Sequence, residues 1–223
     1  MSEAMTVETL LVRLSERVIA HDRPGLVAEA LSAVETGSID VPTLYHDVLV
    51  PLMKAVGERW QRGEMRIWEE HLASAAVRTV VETLYPRVQQ LRAASMATGR
   101  SVLLACPVGE EHDLGLRMLS DVFEVNGWNT YYLGPDTPTV QLADAASVLR
   151  VELVVLASVT LFEQVRAREI LDELERRLPG VRIVVACSGD VCNETSIRED
   201  EIFIAREFFG GPHPGPGAGS GVA

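Results

Sequence analysis

Four short runs of apolar and β-branched residues in the second half of the chain constrain the fold more than any other feature. Stretches with helical periodicity separate the runs, which are SVLLAC (101–106), NTYYLG (129–134), VELVVLA (151–157) and VRIVVAC (181–187). Strands that alternate with helices in this way form parallel sheets with right-handed crossovers. We therefore predict a doubly wound α/β domain of the Rossmann or flavodoxin type, in which ligands bind beyond the carboxyl ends of the strands.

The first half of the chain has a pattern that predicts helices throughout. Its first helical stretch places apolar residues on one stripe, and three more stretches begin near Asp22, Pro42 and Glu64. Asp22 is a candidate N-cap, with Pro24 in the first turn and Gly37 just past the end of that helix. Pro51 falls inside the third stretch and predicts a kink or a break there. Four helices with short connections predict a four-helix bundle.

These patterns divide the chain into three parts. We predict a helical bundle over residues 1–96, an α/β domain over residues 97–205, and a disordered tail over residues 206–223. The tail is predicted from its glycine- and proline-rich sequence, GGPHPGPGAGSGVA, which has too few apolar residues to form a core.

Composition excludes several classes of function. The chain has 223 residues and a formal net charge of −12, with acidic and basic residues interspersed, which argues against direct contact with nucleic acid. No apolar run is long enough for a membrane span, and the first residues are acidic where a signal peptide is basic. Three cysteines without a CxxC spacing suit packed thiols in a reducing compartment. We therefore expect a cytoplasmic protein without a membrane partner.

The loop after the first predicted strand carries the sequence EEHDLG, residues 110–115. His112 can bind a metal through one ring nitrogen while Glu110 accepts a hydrogen bond from the other, which fixes the tautomer of the ring. Gly115 would let a flat, bulky group approach the backbone. One histidine is too few for a structural zinc site, but it suffices for a metal held in a macrocycle. A solvated loop histidine is the alternative that the motif alone leaves open.

This stretch resembles the cobalamin-binding domain that corrinoid carrier proteins share with cobalamin-dependent mutases, whose signature is D/E-x-H-x-x-G. The resemblance implies that His112 is the lower axial ligand of cobalt in a base-off, His-on mode. It also implies a serine after the third strand, matched by Ser158, and a glycine pair after the fourth, of which only Gly189 remains in VVACSGDV. The predicted cofactor-binding residues of this domain are Glu110, Asp113, Gly115, Ser158, Thr160 and Gly189.

A second motif lies in the helical half, where Trp60 is followed after nine residues by Glu70 and His71. Together with the first motif, it resembles the W-x9-E-H hallmark of light-sensing cobalamin regulators of the CarH/LitR type. The resemblance implies that Trp60 packs against the upper adenosyl group, that Glu70 accepts hydrogen bonds from its ribose, and that His71 can bind cobalt after photolysis. The alternatives are that Trp60 and Trp68 lie on one helical core face and that Glu70 and His71 are simply exposed.

The two motifs together predict a cobalamin-dependent light sensor that binds adenosylcobalamin and is not an enzyme. In regulators of this type a DNA-binding domain precedes the bundle, whereas here a helix is predicted within about six residues of the start. We therefore expect the output to pass through an unidentified effector protein or through self-association, with a homo-oligomer as the assembly. A bilin such as biliverdin is a candidate second chromophore. The alternative function is a corrinoid methyl carrier of a methyltransferase system.

Overall fold

The computed structural model describes residues 5–158, 161–187 and 190–191. Six helical segments precede the sheet: α1 (Val7–Ile19), α2 (Arg23–Glu35), α3 (Val41–Thr43), a π-helical segment (Leu44–Leu49), α4 (Val50–Gln61) and α5 (Ile67–Ala94). Because α3, the π-helical segment and α4 follow one another without a gap, they act as one long helix. The predicted four-helix bundle is therefore confirmed. None of the helices in these ranges combines the length and the apolar character needed to cross a membrane.

Local sequence explains where the bundle helices begin and end. The side chain of Asp22 accepts a hydrogen bond from the backbone N–H of Gly25 at 2.9 Å, which satisfies one of the free donors at the start of α2. Gly37, just past α2, has a φ of +70°, a left-handed conformation that glycine adopts without steric cost. At the start of α5 the side chain of Glu69 accepts a hydrogen bond from Arg66 N at 2.7 Å.

The break expected at Pro51 is replaced by a change in helix type. The chain is π-helical over Leu44–Leu49 and becomes α-helical from Val50 onward. Pro51 therefore lies in the first turn of α4, where the N–H that proline lacks matters least. The wider π turn absorbs the irregularity, and the helix continues through the proline instead of breaking.

The second half forms a five-stranded sheet with the order β2-β1-β3-β4-β5. Its strands are β1 (Ser101–Pro107), β2 (Asn129–Thr137), β3 (Leu153–Ser158), β4 (Arg182–Cys187) and β5 (Asp190–Val191). The first four strands are parallel, which confirms the predicted fold class. β5 runs antiparallel to β4, so the chain turns back directly after the fourth strand, a reversal that the sequence did not predict.

Both faces of the sheet are covered. Helix α6 (Leu114–Val125) and the bundle pack on one face, while α7 (Thr139–Leu149) and α8 (Leu161–Arg177) pack on the other. The connections that follow the neighbouring strands β1 and β3 therefore leave toward opposite faces. The carboxyl ends of these two strands form the topological switch point, where doubly wound sheets bind ligands.

Helices α5 and α6 lie side by side and run in the same direction. Three side chains of α5 pair with side chains of the α6 segment: Arg78 with Asp113, Glu82 with Arg117, and Gln89 with Glu124. In each pair the two residues are 35 positions apart in the chain. We call this set of contacts the α5–α6 ladder. It fixes the longitudinal register between the bundle and the α/β domain, whose apolar residues form one shared core.

A buried polar contact reinforces this interface. Tyr45, in the π-helical segment, donates a hydrogen bond to Asp121 of α6 at 3.0 Å, and both side chains are fully buried. Burial raises the pKa of Asp121 to about 6, although its neighbour Arg117 acts in the opposite direction. Burial likewise raises the pKa of Tyr45. The hydroxyl thus satisfies a carboxylate that has no access to water.

We predict that Tyr45→Phe destabilises the protein. Removing the hydroxyl leaves a buried carboxylate oxygen without its donor, and such a loss costs about 1–3 kcal/mol. Urea denaturation should show a lower midpoint with an unchanged slope, since the surface exposed on unfolding does not change.

The matched control is Tyr85→Phe, which removes a hydroxyl from a partly exposed tyrosine of α5. We expect its midpoint to stay close to that of the original protein. Equal losses in the two variants would contradict a special role for the Tyr45–Asp121 contact.

Candidate cofactor site at the carboxyl edge of the sheet

A buried carboxylate orients the imidazole of His112 in the loop between β1 and α6. Glu110 Oε1 lies 2.6 Å from His112 Nδ1 and accepts the backbone N–H of His112 at 2.9 Å. The Glu110 side chain is 1% exposed, whereas that of His112 is 66% exposed. The hydrogen bond to Glu110 raises the pKa of His112. The arrangement directs Nδ1–H to the carboxylate and leaves Nε2 as the nitrogen that can bind a metal.

The second strand holds this loop in place through Asp136. Its carboxylate accepts the backbone N–H of Gly109 at 3.0 Å, and its own N–H donates to the carbonyl oxygen of Glu110 at 3.2 Å. Asp136 has a φ of +52°, a left-handed conformation that aspartate tolerates better than most residues. Sequence reasoning missed this role, and the turn-like sequence GPDTP after the second predicted strand was its only signal.

Asp113 directs its carboxylate at the bundle. It occupies the N-cap position of α6 but makes no side-chain cap hydrogen bond. Instead it accepts hydrogen bonds from Arg78 of α5 and, at 2.5 Å, from the hydroxyl of Tyr132 of β2. Burial opposes ionisation of Asp113, but these two donors outweigh it and lower the pKa. No sequence pattern pointed to Arg78 or Tyr132, because both are distant in the chain from Asp113.

Helix α5 extends past its contact with Asp113 toward its own N-terminus. Its first eleven residues, 67–77, precede Arg78, and we call them the overhang. Glu70 lies eight residues before Arg78, which at about 1.5 Å per residue is roughly 12 Å along the helix axis. The charge of Glu70 contributes to the raised pKa of His112, which places the two side chains within electrostatic range of each other.

Glu70 and His71 contact each other at the exposed part of the overhang. One carboxylate oxygen of Glu70 lies 2.5 Å from His71 Nδ1, and the other accepts the Ser74 hydroxyl at 2.5 Å. The His71 side chain is 69% exposed. A carboxylate has about four acceptor sites, so Glu70 can accept further hydrogen bonds from a ligand. The sequence did not identify Ser74, although it lies one helical turn after Glu70.

The two tryptophans do not share a core face, which makes that alternative wrong. Trp60 is in the last turn of α4, whereas Trp68 is in the first turn of α5, and each is nearly half exposed. Trp68 packs against His21 with ring centroids 5.1 Å apart, on the α1–α2 side of the bundle. Trp60 precedes the turn into the overhang and presents an exposed aromatic surface there.

Two other predicted site residues, Gly115 and Ser158, lie at the same edge of the sheet. Gly115 is the second residue of α6, and Ser158 is the last residue of β3, paired in register with Cys187. The φ of Gly115 is not positive, so residues other than glycine could adopt the backbone conformation at this position. Thr160 and Gly189 lie outside the described residues. Their roles, like those of the other site residues toward a cofactor, stay predictions.

These features fit cobalamin. A corrin ring supplies the four equatorial nitrogens of its cobalt, so the protein needs to offer one correctly oriented imidazole, as His112 does with its ring fixed by Glu110. The charge of Glu70 in the overhang acts on that imidazole, so the overhang and the His112 loop border the same site. The side chains of both His112 and His71 are largely exposed.

Comparison with known proteins identifies the two halves of the chain. Residues 10–85 match one family model described as a B12 binding domain, and residues 100–203 match a second model with the same description. Both halves of the chain are B12-binding domains. Cobalamin binding thus follows from two separate matches, which cover the bundle with its overhang and the sheet with the His112 loop.

The chain is similar to several named proteins in sequence and to one solved structure in fold. The HTH-type transcriptional repressor CarH of Myxococcus xanthus is 31% identical over 160 residues, which is 72% of this chain and 51% of the repressor. The chain therefore spans about half the length of that relative. Monomethylamine corrinoid protein 2 of Methanosarcina acetivorans is 22% identical over 76% of this chain and 78% of its own length. The solved structure of the Methanosarcina barkeri monomethylamine corrinoid protein has the same fold, with a TM-score of 0.68, 17% identity, and coverage of 85% of this chain and 88% of that one.

We predict that Glu110→Gln weakens cobalamin binding by about 10- to 100-fold, the usual cost of losing a residue that orients a metal-binding histidine. The neutral amide keeps the shape of the side chain but makes His112 a weaker donor to the metal. Equilibrium dialysis with hydroxocobalamin measures the change.

The control is Glu111→Gln, which removes the same charge from the same loop at an exposed position. We expect less than a twofold change, because the neighbouring charge makes no hydrogen bond to His112. An equal loss in the two variants would show that net charge, and not ring orientation, determines affinity.

Proposed function

We propose that the chain is a cobalamin-dependent light sensor that binds adenosylcobalamin between the overhang and the His112 loop. The observation that supports the proposal is that α5 continues for eleven residues past its contact with Asp113 and carries Glu70, whose charge acts on His112. The similarity to a transcriptional repressor of the CarH type supports the same reading. In this proposal residues 1–96 cover the upper face of the cofactor and residues 97–205 hold its lower face.

Each predicted residue has a physical task. His112, oriented by Glu110, binds cobalt from below. Trp60 packs against the upper ligand and excludes water, because its indole ring is a large apolar surface. Glu70 accepts hydrogen bonds from the ribose of that ligand. When bound, adenosylcobalamin supplies a cobalt–carbon bond that visible light breaks, and this chemistry belongs to the cofactor.

His71 is the switch residue of the proposal. Its imidazole lies beside Glu70 in the overhang, is largely exposed, and would be free to bind cobalt if light removed the adenosyl group. Exchanging a bulky ligand for a protein side chain displaces the overhang relative to the sheet, which is a local trigger for a two-state change. We propose that an effector protein or a second copy of the chain reads this displacement.

Illumination tests the proposal directly. The protein is loaded with adenosylcobalamin in darkness, and its visible spectrum and size are recorded before and after green light. We expect an irreversible bleach to a spectrum typical of two imidazole ligands, together with a change in assembly. A protein that keeps its dark spectrum and size under light would not be a sensor of this kind.

We predict that His71→Ala binds adenosylcobalamin in darkness as the original protein does but gives a different spectrum after illumination. The physical reason is that the upper imidazole is needed only after the adenosyl group has left. Absorption spectroscopy of both states measures the effect.

The control for this variant is His46→Ala, which removes an imidazole that pairs with Asp47 in the π-helical segment. It should leave both spectra unchanged. An illuminated spectrum of His71→Ala that matched the original would remove His71 from the scheme.

A corrinoid methyl carrier is the second candidate function. It is favoured by coverage, since the chain spans 78% of a monomethylamine corrinoid protein but only 51% of the repressor. A carrier must open its upper face to a methyltransferase, so it should bind methylcobalamin at least as tightly as adenosylcobalamin. A marked preference for methylcobalamin would therefore favour the carrier over the sensor.

The proposed second chromophore has a separate test. Biliverdin is added to the cobalamin-loaded protein, and the absorption band of the pigment is compared with that of free biliverdin. A shifted band that copurifies with the protein would add a bilin to the proposal, and an unshifted band would remove it.

A further inference from the structure

The carboxylate of Asp113 accepts a hydrogen bond from the bundle and makes no cap hydrogen bond to its own helix. An aspartate at an N-cap normally accepts a hydrogen bond from the second or third residue of the helix, which stabilises the helix by about 1 kcal/mol. Asp113 forgoes that bond and engages Arg78 and Tyr132 with a side chain that is only 7% exposed. Its carboxylate therefore ties the residue next to His112 to helix α5.

Arg78 is the uppermost contact of the α5–α6 ladder. Below it the helices are joined at Glu82 with Arg117 and at Gln89 with Glu124, and above it α5 continues as the overhang. Arg78 is thus the last point of α5 that is fastened to α6 before the helix reaches Glu70 and His71.

The helix between the overhang and Arg78 is stiff. Its sequence from Glu70 to Arg78, EHLASAAVR, contains three alanines and no proline or glycine, and the first proline of α5 comes later, at Pro86. Alanine is the strongest helix former, so this segment moves as a rod and does not bend locally. A displacement at Glu70 is therefore transmitted to Arg78.

We propose that Arg78 is a positioning residue that couples the upper face of the cofactor to the lower ligand. The Arg78–Asp113 ion pair, braced by Tyr132, joins the overhang to the backbone of His112, so the ligand above the corrin affects the order of the loop below it. The inference rests on the proposed placement of cobalamin between these two elements, but it does not depend on light.

The test compares two cofactors in darkness by hydrogen exchange. The protein is loaded with adenosylcobalamin or with hydroxocobalamin, which differ only in their upper ligand, and exchange is followed at the amides of His112 and Asp113. Both amides are hydrogen-bonded in the structure, to Glu110 and to the carbonyl of Glu111. We expect the two loaded forms to differ about fivefold or more at these amides, the size of a typical coupling between sites.

Arg78→Met should abolish that difference at the loop while the difference at residues 67–77 remains. Arg78→Lys, which retains the charge, should restore part of it, and Tyr132→Phe should reduce it. The matched control is Glu82→Gln, which weakens the next contact of the ladder and should leave the difference intact. The proposal would be overturned if Arg78→Met kept the full exchange difference at His112 and Asp113, or if Glu82→Gln lost as much of that difference as Arg78→Met.

The cofactor-free protein gives an independent outcome. There Arg78→Met should speed exchange at the His112 and Asp113 amides, whereas Glu82→Gln should not, because Arg78 contacts Asp113 and Glu82 contacts Arg117 instead. If light has no effect but the two cofactors still give different exchange at His112 and Asp113, the light-sensor proposal fails and the coupling through Arg78 stands. Equal exchange in the two cofactor-free variants would remove the coupling itself.

Discussion

The register between α5 and α6 is the constraint on which the rest of the site depends. Three contacts at a constant separation of 35 residues hold the helices parallel, and each joins a polar side chain of the bundle to one of the α/β domain. A slip of one helical turn would move the overhang by about 5.4 Å relative to His112. The position of the overhang relative to His112 is therefore set by side-chain pairing between the domains, and not within either of them.

Polar contacts can set this register because they lie beside a shared apolar core. The bundle and one face of the sheet bury their apolar residues together, which holds the two halves against each other without specifying their exact alignment. Directional contacts such as the hydrogen bond from Tyr45 to Asp121 then select one alignment, since a buried carboxylate without its donor is costly. Apolar burial holds the bundle against the α/β domain, and the polar pairs determine how the two are aligned.

Much of the fold followed from the sequence because its signals are local. The change from helical to alternating patterns marked the parallel sheet, and Asp22 and Gly37 marked the ends of α2. The pairing of Glu110 with His112 was also accessible, because two residues separated by one position in a loop need no tertiary information to meet. The change of helix type before Pro51 was not accessible, since a π turn has no distinct sequence pattern.

The sequence by itself determined which residues offer the chemistry: an imidazole with a carboxylate partner in the strand-end loop, and a tryptophan, a glutamate and a second histidine in the helices. Tertiary structure alone decided that the charge of Glu70 acts on His112 and that Arg78 and Tyr132 share Asp113. The physical reason is that these pairs are remote in the chain. Their meeting depends on the packing of α5 against α6 and the sheet, which no local pattern specifies.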